Sequence, residues 1–195
     1  MGLTDIKKEL KKLDKDKLID LIADLYKKNK SVKEFFDFYV NPDERELFNK
    51  YRDKVFEAFF PKRGHNYKLK ESKQAISDFK KLGTSADLLA DLMLFYVETG
   101  VKFTNTFGDV NETFYRSLAT TFFDSLCLMN KENLLAKFEE RVGNVVDDTR
   151  EIGWGFHDYL VQAWIDFYPS DDDDEFGDEI IEDNEKGKII KINEQ

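Results

Sequence analysis

The chain has 195 residues, of which 41% are hydrophobic and 36% charged, with a formal net charge of -10. That length suits one domain with an appendage, which hides about 70% of its unfolded surface and needs no covalent staples. A single cysteine, Cys127, excludes an intramolecular disulfide, and no apolar run reaches the roughly 18 residues of a membrane span.

In chain order, Thr4 is placed to cap a short helix, "DIKKELKKL". Asp14 caps a second, with Leu18, Leu21, Ile22 and Leu25 on one stripe at helical spacing. Ser31 and Glu34 have the spacing of a capping box and open "VKEFFDFYV". Asn41 precedes Pro42, a cap followed by a proline at the first helical position, and that helix runs to Pro61. The cationic segment "PKRGHNYKLKESK" follows, and around Glu71 another helix starts, stopping at Gly83. Thr84 or Ser85 caps "ADLLADLMLFYVETGVKFTNTF", apolar on nearly every side from Leu88 to Val97, which places it centrally in a bundle. Asn111 caps "ETFYRSLATTFFDSLCLM". An amphipathic helix over 131–152 is broken by Gly153 and Gly155, and "FHDYLVQAWIDFY" forms the last helix before Pro169.

Strand signals are nearly absent and the connections are short. The expected fold is all-α: an irregular multi-helix bundle of about eight or nine helices with stacked helical hairpins. The domain covers 1–169. Residues 170–195 carry eleven acids and three lysines, a composition that predicts a disordered acidic tail. Residues 1–82 sum to +6 and 83–169 to -8, so the body is electrically polarised. The charged N-terminus has no apolar core of a signal peptide, and the single cysteine fits a reducing compartment. Together they predict a cytoplasmic protein without membrane contact.

Several stretches together resemble a known family. They are Leu10 to Tyr26 ("LKKLDKDKLIDLIADLY"), Val32 to Phe38, Asn41-Pro42, Phe60-Pro61 before the basic segment, and Leu82-Gly83 before "ADLMLFYVE" (Ala90 to Glu98). The chain is similar over about 1–150 to the uncharacterised bacterial all-helical domain-of-unknown-function family 6155. The resemblance implies a helical fold and no activity. "GWGFHDYLVQAWIDFYP" and the tail fall outside the pattern, which suggests a partner particular to this chain.

The candidate binding residues are Lys62, Arg63, Lys68, Lys70, Lys73, Lys80 and Lys81, with His65 and Tyr67 among them. Cations neutralise phosphates and planar rings stack on bases, so this mixture points to nucleic acid or another polyanion, with a solvated surface loop as the ordinary alternative. Five neutralised phosphates correspond to a log–log salt slope of about -4 to -5. Asp171 to Glu175 would compete for those cations. Asp87, Asp91 and Glu98 share one side of the central helix, and Asp91 sits among leucines. Such acids are candidates for acid–base work or a hard cation, but more often pair with a neighbouring helix, here through Arg116 or Lys102. Cys127, between Leu126 and Leu128, is expected to be a core thiol. Trp154, Phe156, Tyr159, Trp164, Phe167 and Tyr168 are expected to pack in the core, or else to form an interface. No catalytic, metal or phosphate-loop motif occurs, so no cofactor and no metal are assigned. The expectation is a non-enzymatic interaction or regulatory module with a protein partner, nucleic acid being the alternative.

Overall fold

A computed structural model describes residues 2–63 and 66–169; the tail and His65 lie outside the described residues. Among these residues the chain forms nine helices and no strand: α1 (Leu3–Leu10), α2 (Lys15–Lys28), α3 (Lys30–Val40), α4 (Glu44–Phe59), α5 (Leu69–Lys81), α6 (Ala86–Phe107), α7 (Glu112–Lys131), α8 (Leu135–Asp147) and α9 (Phe156–Phe167). This is the irregular bundle the sequence predicts. None of the nine is long and apolar enough to cross a membrane.

Local chemistry sets most of the boundaries. The Asp14 carboxylate accepts from the Lys17 amide and the Asn111 side chain from the Phe114 amide, as expected. Gly83 takes φ +74° just after α5, the left-handed stop anticipated for it. Three expected caps are corrected. Gly2, not Thr4, precedes α1. Asn29, not Ser31, caps α3 by accepting from the Ser31 and Val32 amides, because Glu34 is drawn away to Lys50 and Tyr51. Asp43, not Asn41, caps α4, since its carboxylate reaches the Glu46 amide at 2.8 Å. The helix expected over 131–152 is shorter, because Asn133 (φ 57°) turns the chain before Leu135.

Helix α6 is the axis, with α4, α5, α7 and α8 all packed on it, and α9 closes the far side against α7 and α8. Its buried residues include Leu92, Leu94, Tyr96 and Val97, none of them more than 1% exposed. An aromatic cluster of Phe59, Tyr96, Phe103 and Phe114 forms the middle of the core. Helices α1–α3 differ in kind: none of their residues is buried. They form an arm whose attachment to the body runs through Glu34, with Lys50 and Tyr51 of α4 as its partners, and through the half-buried Phe38.

Candidate functional site

The basic segment reaches its place because Pro61 stops α4 and the Lys68 amide then donates to the Ala58 carbonyl at 2.7 Å. The seven candidate cations differ in what they meet. Lys62 pairs with Glu57 at 2.6 Å, Lys68 with Glu71 at 3.0 Å and Lys81 with Asp78 at 3.2 Å. Lys73 points inward: its ammonium donates to the Thr121 hydroxyl at 2.7 Å and lies 5.7 Å from the Tyr96 ring centre. Burial lowers its pKa, against an opposing pull from Asp124. Arg63, Lys70 and Lys80 are exposed, with no described carboxylate within ion-pair distance. Tyr67, expected among the stacking rings, belongs to the core. Its ring lies 5.4 Å from Phe103 and 5.1 Å from Phe114, and its hydroxyl accepts from Asn111.

The acids of α6 face α8. Lys137 reaches Asp87 at 2.5 Å, and one guanidinium serves the other two. Arg141 donates through Nε and Nη2 to the two Glu98 oxygens at 2.8 and 2.9 Å, and through Nη1 to Asp91 at 2.8 Å. The partner is therefore Arg141, and neither Arg116, which binds Glu112 on its own helix, nor Lys102. Burial works against the Arg141 charge, but the bonds to Glu98 and Asp91 outweigh it and hold the guanidinium above its ordinary value. A planar fork that satisfies both oxygens of one acid and one of another is a structural clamp between helices. Sequence spacing found the acids; the partner lies 43 residues away and left no local signal.

Two further expectations change. Cys127 is exposed, not a core thiol. On α7 the inward positions are Phe122, Leu126 and Met129, and Cys127 falls a third of a turn off that line. Partial desolvation on the helix surface, with the Asp124 charge adding to it, pushes its thiol pKa up, away from nucleophile chemistry. The C-terminal aromatics divide. Phe156 is buried, Trp164 stacks on Tyr168 at 4.3 Å between centres, and Trp154 and Tyr159 are exposed, with the Trp154 indole donating to Asp109 at 2.7 Å. No cluster of potential metal ligands occurs among the described residues.

Where apolar surface is exposed, it is concentrated. Among the described residues fifteen large hydrophobics face solvent, and nine of them lie on the arm: Leu3, Ile6, Ile19, Leu21, Ile22, Leu25, Phe35, Tyr39 and Val40. Tyr39 and Val40 are 73% and 79% exposed. Sequence periodicity identified the α2 stripe but assigned it to a packed bundle, because periodicity marks an apolar face without saying what covers it.

These features define an all-helical protein with a packed body and an apolar arm. The chain belongs to the family of unknown function (DUF6155), whose model matches residues 1–167. That match extends past the expected limit near 150, so α9 with its aromatic residues is part of the family's domain, not an addition of this chain. No curated protein and no solved structure matches the chain.

Proposed function

We propose that this protein is a non-enzymatic interaction module that holds a protein partner against its α1–α3 arm. The observation that carries this reading is that, among the described residues, nine of the fifteen exposed large hydrophobics fall in the first forty positions, where no described residue is buried. Helices of 8, 14 and 11 residues are marginal in water unless an apolar face is covered. Nine half-exposed large side chains present an area on the order of the 800 Å² that each side of a standard interface buries. Part of that surface is continuous, since the exposed Phe35 and Tyr39 rings stack 6.5 Å apart between centres, and exposed apolar patches mark interaction sites. The single cysteine supports a reducing, cytoplasmic setting.

The test is isolation of partners from the native host with the wild-type chain and with an Ile22→Ser/Leu25→Ser/Tyr39→Ser variant. A partner held by the wild type, retained at about 0.5 M salt and lost by the variant, is the expected result, since apolar contact is not screened. A partner that both chains retain overturns the reading. Light scattering on the purified chain tells whether that partner is a second copy.

The alternative is polyanion binding through residues 62–81 with the acidic tail as a competitor. Its support is reduced to Arg63, Lys70 and Lys80, the three exposed cations without a described acid. It predicts a salt slope of about -2 on single-stranded DNA, shallower than five free cations would produce.

A further inference from the structure

The end of the described chain and the root of the arm lie at the same end of the bundle. Tyr168, one residue before Pro169, donates to the Leu135 carbonyl at the start of α8 at 3.0 Å. Lys137, in the first turn of α8, pairs with Asp87 in the first turn of α6 at 2.5 Å. Beside Asp87, the Ser85 amide donates at 2.9 Å to Glu44, the first residue of α4. Tyr39 and Val40, the most exposed large hydrophobics of the arm, lie just before α4. The way from α8 through α6 and α4 to α3 crosses three helix–helix spacings, about 30 Å in all. The twelve residues from Pro169 to Ile180 extend to about 40 Å, so the sequence that follows them reaches Tyr39 and Val40.

Charge and apolar surface both single out the arm for that sequence. Residues 170–195 carry a net charge of -8, and the part of the body they leave from, 83–169, carries -8 as well, whereas 1–82 carries +6. Within 1–82, the segment 61–81 has exposed cations but no exposed large hydrophobic among its described residues. The arm has both. Phe35, Phe36 and Tyr39 form one ring cluster, with the Phe36 centre 5.5 and 6.5 Å from the other two. On the same two helices Lys27, Lys30 and Lys33 are exposed, with no described carboxylate within ion-pair distance. The acids of that stretch are already engaged: Asp24 by Lys28, Asp37 by the Tyr26 hydroxyl, and Glu34 by Lys50 and Tyr51 of α4. A second copy would set like lysines against these, which disfavours it as the occupant.

We propose that "DEIIED", residues 178–183 of this same chain, docks on the α2–α3 face of the arm. Ile180 and Ile181 lie against Phe35 and Tyr39, and the flanking acids turn toward Lys27, Lys30 and Lys33. This rests on the reading of the arm as a docking surface and adds its regulation: the tail is a tethered competitor for the partner's site. Opposite charge steers the segment to the arm, and apolar contact holds it there. Tethering sets its effective concentration near millimolar, so an anchor of about millimolar affinity covers the arm about half of the time. Removing that anchor strengthens partner binding about twofold.

The test is a full-length Cys127→Ser/Asn184→Cys chain carrying a nitroxide at position 184; Cys127 is exposed, so its replacement leaves the core intact. The label is expected to broaden the amide resonances of residues 35–40 at every protein concentration. Ile180→Ser/Ile181→Ser in the same chain should abolish that broadening. No broadening of the arm, broadening at Lys70 and Lys80 in its place, or broadening that dilution removes overturns the proposal. A second measurement separates it from the reading it rests on. Unlabelled full-length chains, wild type and Ile180→Ser/Ile181→Ser, are compared for the partner they retain from the native host, and the variant is expected to hold it about twofold more tightly. A partner held equally by both overturns the tail's role while the arm reading stands. Broadening of the arm with no partner held by either chain overturns the arm reading and leaves the tail contact standing.

Discussion

Gly100 and Arg141 set the tightest local constraints in the body. A Cβ built on Gly100 would stand 2.5 and 2.7 Å from the methyl carbons of Leu118, a side chain with no solvent exposure that would have to shift within the core. Alanine would favour the helix by about 1 kcal/mol, but overpacking costs about 1–3 kcal/mol. Gly100→Ala is therefore expected to lose about 1 kcal/mol in urea unfolding, and Leu118→Ala in the same chain should recover part of that loss as a coupling energy. Arg141→Met strands Asp91 and Glu98 beside each other. Those side chains retain 29% exposure, so the expected loss is about 1–2 kcal/mol, below the 3–5 kcal/mol of a fully buried pair. Arg141→Lys keeps the charge but not the fork and should recover less than half.

Between elements, the attachment of the arm to α4 is the contact most open to pH. Burial raises the Glu34 pKa, but hydrogen bonds from Lys50 and Tyr51 and the field of Lys54 outweigh it, leaving the group below its ordinary 4.5. A depressed carboxylate pKa contributes stability that is present above 4.5 and is lost as pH falls through the lower folded value. Amide exchange in α2 and α3 should accelerate as acid is added below pH 4.5, while α6 and α7 stay protected. Glu34→Gln should accelerate the same amides at neutral pH and remove the acid dependence. If α6 opens together with α2, the arm is not an independently attached element.

For the whole molecule, the decisive contrast is between a body with a continuous core and an arm with none. The buried cluster begins at Leu47 and runs to Ala163. A chain lacking residues 1–40 is expected to unfold in one cooperative transition, about 1–2 kcal/mol less stable for the loss of Phe38 and the Glu34 bonds. Absence of a cooperative transition would show that the arm is part of the core.

Much of this organisation was legible in the residues. Asp14, Asn111, Pro61, Gly83 and Pro169 mark helix ends through chemistry acting within a few residues, and the all-round apolarity of α6 announced its central place. Cys127 and Ser31 were misread where a neighbour in sequence stood in for a direction in space. The choice of Arg141 over Arg116 and Lys102 and the partial burial of Lys73 and Tyr67 followed from what lay across from each side chain, whereas Lys62, Lys68 and Lys81 pair with acids within five positions that the sequence itself displays.

By itself, then, the sequence determined the helices, most of their stops and the family, because caps, breakers and amphipathic period act over one or two turns. Only the tertiary structure decided which apolar faces are covered and which charges are clamped between distant helices. Burial and the clamps between helices depend on residues brought within about 4 Å from 40 or more positions apart, as Arg141 and Asp91 are.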